Sequence, residues 1–115
     1  MYIKMLKSKI HRAKVTDTNL NYEGSIGIDK ALLEESGIMP GQAVSIFNLN
    51  NGERFETYVI EAEKNSGKIS LNGAAARLAE PGDLVIIVAY CWVEDKELKD
   101  FVVKIVHVDE KNKIV

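Results

Sequence analysis

Three features of the sequence predict a small, mainly β barrel carrying two or three short helices. Runs rich in Val, Ile, Phe and Tyr dominate the chain. A weak internal repeat places Pro81-Gly82 41 positions after Pro40-Gly41, and at the same offset Val85 follows Val44, Ile87 follows Ile46 and Ile69 follows Ile28. The 115 residues, 46% of them hydrophobic, suffice for one domain with one packed core. Each repeat reads as strand, short helix, Pro-Gly turn, strand. Neither half can bury its apolar face alone, so the two should close on one another, and closure removes exposed sheet edges.

The elements follow in order. Lys4, Lys7, Lys9, Arg12 and Lys14 form the only local basic cluster, readable either as a solvated strand edge or as a surface for anionic groups. Asp29 is placed to cap a helix over residues 30–35, with Gly37 where that helix should end. Residues 43–47 and 55–60 are strands, and Asn50-Asn51-Gly52 between them signals a hairpin. Asn65-Ser66-Gly67 signals a second hairpin, leading into a strand at 69–71. Residues 74–79 should be helical and stop at Pro81-Gly82. Residues 84–88 lack alternation and predict a fully buried strand within the apolar run 84–93, where Cys91 should be a buried structural thiol. Residues 101–108 are apolar on both faces, predicting a strand with little exposure.

Several function classes are disfavoured. A net charge of −2, a pI near 5.7 and 7% aromatics give no footprint for nucleic acid. The longest apolar run is too short to span a bilayer, and a single cysteine cannot form an internal disulfide. Met1-Tyr2-Ile3-Lys4 leads straight into charged sequence, so no secretion leader is expected and the expected location is the cytoplasm.

The chemistry centres on Tyr22-Glu23-Gly24-Ser25. Alone, a Gly-Ser step is a turn. A serine hydroxyl can, however, attack the carbonyl of the residue before it, and glycine there removes bulk and tolerates strained geometry. Lys9 and His11, at i and i+2, share one face of a strand. Thr57 and Tyr58 are neighbours and should face opposite sides of theirs, so both reach one site only through a twist, a bulge or a second subunit. Arg54 offers a guanidinium suited to a carboxylate.

The segments His11-Arg12-Ala13-Lys14-Val15-Thr16, Asn21-Tyr22-Glu23-Gly24-Ser25, Asn51-Gly52-Glu53-Arg54-Phe55, Asn72-Gly73-Ala74-Ala75-Ala76 and Val108-Asp109-Glu110, in this order, resemble the aspartate 1-decarboxylase family over essentially the whole chain. The resemblance implies a double-psi β-barrel. It also implies self-cleavage between Gly24 and Ser25 into residues 1–24 and 25–115, with Ser25 becoming a covalent pyruvoyl group. That group would form a Schiff base with L-aspartate and allow decarboxylation to β-alanine for pantothenate synthesis. No metal and no pyridoxal phosphate are expected.

By resemblance, Tyr58 is the proton donor, while Thr57 binds substrate and assists cleavage by polarising the Gly24 carbonyl. Arg54 and Lys9 hold carboxylates, Gly73, Ala74 and Ala75 line the pocket, and Asn72 supports processing. His11 and Tyr22 lie near the substrate. The family is homotetrameric, with sites between subunits. Two departures are visible, Gly27 where alanine is expected and Phe47 where tryptophan can occur, and Gly27 is expected to alter the processing rate.

Overall fold

A computed structural model describes residues 1–115. In chain order it contains β1 (Tyr2–Lys14), β2 (Asp17–Asn19), β3 (Ile26–Asp29), helix α1 (Lys30–Ser36), β4 (Ala43–Asn48), β5 (Arg54–Ala62), β6 (Ile69–Asn72), a 3-10 helix (Gly73–Leu78), β7 (Leu84–Glu94), a second 3-10 helix (Asp95–Asp100) and β8 (Lys104–His107). The strands lie in the order β2-β6-β3-β5-β4-β7-β1-β8. The ring closes because β1 pairs with β7 while its continuation, β2, pairs with β6. At the crossing, Val15 N–H donates to Asp83 O (2.8 Å) and Thr16 N–H to Ile69 O (2.8 Å). β8 is added outside this ring, parallel to β1.

The sequence repeat is a structural two-fold. Ile28 pairs with Ile69 across β3 and β6, and Ile46 pairs with Ile87 across β4 and β7. Residues that correspond in the repeat therefore face each other in antiparallel register, as they must at a two-fold axis. The two Pro-Gly turns also act alike. Gly41 N–H donates to Val59 O (2.7 Å) and receives Val59 back at Gln42 O (3.1 Å), while Gly82 N–H donates to Val15 O (2.7 Å) and receives Val15 at Asp83 O. The four isoleucines of the pairing are fully buried, with Val44, Val59, Leu71 and Val85 around them. Full burial of each such side chain stabilises by about 1.5–3 kcal/mol.

Local chemistry sets the helix. The buried Asp29 carboxylate accepts from Ala31 N–H at 2.8 Å, capping α1, and also from Asn65 and Gly67 N–H at 2.8 Å each. Gly37 closes α1 at φ 75°, left-handed backbone that a Cβ would penalise.

Five expectations need correction. The basic N-terminal run is a sheet edge only in part, since β1 pairs with β7 along its length but with β8 only over residues 8–11, so Lys9 lies between two strands and Lys4 and Lys7 do not. The turn at Asn65-Ser66-Gly67 exists but closes no hairpin, because β3 lies between β5 and β6. The Ala-rich segment is a 3-10 helix of 6 residues beginning at Gly73. Strand β8 covers only Lys104–His107 and is largely exposed, with Ile105 at 48%, because it has a neighbour on one side only, and Val102, before the strand, is 77% exposed. Cys91 is half-buried and free, on a stretch of β7 where Tyr90 and Trp92 are exposed.

Candidate active site

Ser25 stands immediately before β3, the central strand between β5 and β6. It is buried and its φ is +96°. For a residue with a Cβ this is strained backbone, costing about 1–3 kcal/mol, and it persists only where surroundings over-determine it. Those surroundings are identifiable. Asn72 N–H donates to Ser25 O at 3.0 Å, extending the β3–β6 ladder by one residue. The Asn72 side chain then donates from Nδ2 to Ser25 Oγ at 3.4 Å. The hydroxyl is thereby held in a buried site beside an amide.

Gly73 presses on the other side of the same link. A Cβ there would lie 2.7 Å from Gly24 Cα and from Gly24 N, and 3.0 Å from Tyr22 O. Its φ of +63° is likewise left-handed. No side chain fits between residue 73 and the Gly24-Ser25 link. Tyr58, on β5, completes the group, its hydroxyl 3.6 Å from where a Cβ on Gly24 would stand. Asn72-Gly73, Tyr58 and the Gly-Ser step thus converge from three adjacent strands.

The remaining predicted residues divide. Tyr22 is exposed and lines a polar cavity of about 360 Å³ that also reaches Asn72. Ala74 is exposed and Ala75 half-buried on the 3-10 helix. Thr57 is half-buried, pairs with Val44, and points away from the face that carries Tyr58, as strand alternation requires. No hydrogen bond joins its hydroxyl to the Gly24 carbonyl within the chain. Arg54 begins β5, its guanidinium 3.9 Å from the Phe47 ring centroid. It shares the exposed face of Tyr58 but lies four residues, about 13 Å, along the strand.

Lys9 and His11 share one face of β1, as expected, but β4 and β7 stand between β1 and β5 in the sheet. His11 packs edge-on against His107 with centroids 5.7 Å apart, and its Nδ1 is sealed from solvent without a partner. Desolvation, then the charges of Lys9, His107 and Arg12, pull its pKa below the ordinary 6.5.

One residue at this site was missed from the sequence. Ser70, on β6, places its hydroxyl 2.4 Å from where a Cβ on Gly27 would be. The unexpected glycine at 27 was the signal, since it leaves room that another side chain fills. No group of three or more His, Cys, Asp or Glu side chains is arranged to hold a metal ion. No helix is long and apolar enough to cross a membrane.

The closed ring with its two-fold repeat defines the class of protein, a double-psi β-barrel. The rationally designed mkDPBB_sym_86 protein, a barrel of this kind, superposes with a TM-score of 0.50 over 67% of this chain and 90% of its own, at 17% identity. The family follows from sequence. The profile of the aspartate decarboxylase family matches residues 1–115, and the chain belongs to that family. The aspartate 1-decarboxylase of Caldicellulosiruptor saccharolyticus is 60% identical over 115 residues, covering 100% of this chain and 90% of the relative. That of Carboxydothermus hydrogenoformans is 58% identical, covering 100% and 91%. That of Thermoanaerobacter pseudethanolicus is 56% identical, covering 96% and 95%.

Proposed function

We propose that this chain is the self-cleaving precursor of a pyruvoyl enzyme that converts L-aspartate to β-alanine and carbon dioxide, in the cytoplasm and for pantothenate synthesis. The observation that carries the reading is Ser25, a buried serine held at φ +96° after glycine, with Asn72 on its hydroxyl and Gly73 against Gly24. A strained link gains by rearranging. Ser25 Oγ forms a bond to the Gly24 carbonyl carbon while the Gly24–Ser25 C–N bond breaks, leaving an ester. Elimination then frees residues 1–24 and leaves residue 25 at a new amino end.

The group matured there supplies an electron sink for the bond that loses carbon dioxide. The chain's own residues bind and orient. Arg54 and Lys9 hold the two substrate carboxylates. Tyr58 carries a phenol hydroxyl, a proton donor that returns a proton to the α-carbon. Gly73, Ala74 and Ala75 give close backbone approach, with Tyr22 and His11 at the margin. Thr57 serves substrate binding and cleavage.

A homotetramer with sites between subunits reconciles these assignments with the strand order. Within one chain Lys9 and His11 are remote from Ser25, and a neighbouring copy can bring its own pair to it. Exposed Tyr2, Trp92, Val102 and Ile105 form apolar surface suited to such contacts.

Purified protein, warmed and supplied with L-aspartate, should release β-alanine and carbon dioxide. The Ser25→Ala protein should release neither, and activity in it would refute the reading. Tyr58→Phe should still be cut but lose about 10²–10⁴-fold in turnover.

A further inference from the structure

We propose that Ser70 is a positioning residue for the last step of maturation, holding the water that turns residue 25 from dehydroalanine into the ketone. This rests on the self-cleavage reading above. It goes beyond that reading, because it separates the cut itself from the hydrolysis that must follow.

The step balances as follows. After elimination, residue 25 is an amino-terminal dehydroalanine. Its enamine tautomerises to an imine, a water oxygen bonds to Cα, the Cα–N bond breaks, and ammonia leaves. No oxidant or reductant is involved, but one water must reach Cα in a site where Ser25 is buried to 1% exposure.

The fold supplies a place for it. β3 and β6 pair with Ile26 opposite Leu71 and Gly27 opposite Ser70, which sets Ser25 opposite Asn72. Side chains two apart share a sheet face. Ser70 and Asn72 therefore stand on the same face as Ser25, and the Asn72 bond to Ser25 Oγ fixes which face that is. Ser70 is itself 3% exposed, and its hydroxyl enters no hydrogen bond within the protein yet is not among the polar atoms sealed from solvent. Buried hydroxyls are satisfied by protein or by water. The Ser70 hydroxyl opens onto the cavity of about 360 Å³ lined by Tyr22, Gly27, Ser70 and Asn72, together with Asp17 and Lys68. This space is polar and large enough for water.

The spacing also fits. Ser70 and residue 25 are diagonal neighbours across β6 and β3, about 7–8 Å apart and closer between their side chains, and a water with a hydrogen-bond-length contact on each side spans about 5.6 Å. A water bound to Ser70 Oγ thus reaches residue 25 in a single step. In this chain Gly27 leaves Ser70 Oγ room on that face, since a Cβ at position 27 would crowd it.

The test follows two readouts in one warmed sample, chain cutting on denaturing gels and ammonia release in the native protein. In the unaltered protein the two should rise together. In Ser70→Ala, cutting should keep its rate while ammonia lags by about tenfold or more, the loss expected for one hydrogen bond in a transition state. Gly27→Ser combined with Ser70→Gly returns a hydroxyl to the same space from the opposite strand and should shorten the lag. Ammonia keeping pace with cutting in Ser70→Ala would overturn the proposal. So would a slower cut with no added lag, which would mark Ser70 as merely structural. Absence of any cut in the unaltered protein would refute the self-cleavage reading itself, and is seen before any variant is made.

Discussion

The two halves of the barrel share a backbone plan and differ in what the polar residue ahead of the helix does. In the first half, Asp29 ends β3 and caps α1, accepting three backbone N–H bonds at 2.8 Å. In the second half, Asn72 ends β6 and precedes the 3-10 helix, yet makes no side-chain cap bond to it. Its amide turns instead to Ser25 Oγ in the other half. The first half uses its polar residue for folding. The second leaves a helix end uncapped, which costs about 0.5–2 kcal/mol, and directs the side chain at a reactive hydroxyl. Strain does not follow that division. The left-handed residues at both Pro-Gly turns are glycine, Gly41 and Gly82, whereas Ser25, in the first half, is left-handed and carries a side chain.

This contrast can be broken from either side. The largest effect is expected for Gly73→Ala. Its Cβ would meet Gly24 at 2.7 Å and occupy left-handed backbone. Cutting should stop, with a stability loss of about 2–4 kcal/mol, read by gel and by thermal denaturation. A fully cut Gly73→Ala protein would show that close approach is unnecessary. Asp29→Ala comes next and should act on folding. Three buried donors lose their acceptor, so about 2–4 kcal/mol should be lost, a fall of roughly 10–20 °C in Tm. The fraction that folds should still cut.

Asn72→Ala should do the converse. It should slow cutting about 10²-fold, the scale for one lost donor at a developing charge, with stability changed by about 1 kcal/mol or less because it caps nothing. If Asn72→Ala lowered Tm as much as Asp29→Ala does, the division of labour would be wrong. The smallest effect concerns His11. Its folded pKa lies below 6.5, so the unfolded chain binds the proton more readily. Its contribution is full above pH 6.5 and is lost as pH falls through the depressed folded value. Denaturant titrations across pH 5 to 7 should show this decline flattened in His11→Asn, and an unchanged slope would remove His11 as its source.

Local signals were legible in the sequence and pairing partners were not. Asp29 and Gly37 announce the bounds of α1 because capping depends on neighbours in the chain. The residues of Asn65-Ser66-Gly67 specify a turn, but nothing in them reveals that β3 would insert between the flanking strands. The opposite facing of Thr57 and Tyr58 followed from strand alternation. The remoteness of Lys9 from Ser25 in one chain did not, since it depends on the order of β5, β4, β7 and β1. The run at 101–108 looked buried because composition measures apolarity, and burial also needs a neighbour. Gly27 was legible as a departure, but Ser70 as the residue that fills its space was not, because only register sets them opposite each other.

The central claim is that the link between Gly24 and Ser25 breaks, and intact-mass measurement of the purified, warmed protein tests it most directly. Two chains should appear, residues 1–24 and residues 25–115, the larger with a carbonyl-reactive group in place of its amino terminus. A single uncut chain of 12.8 kDa persisting after prolonged warming would contradict the account.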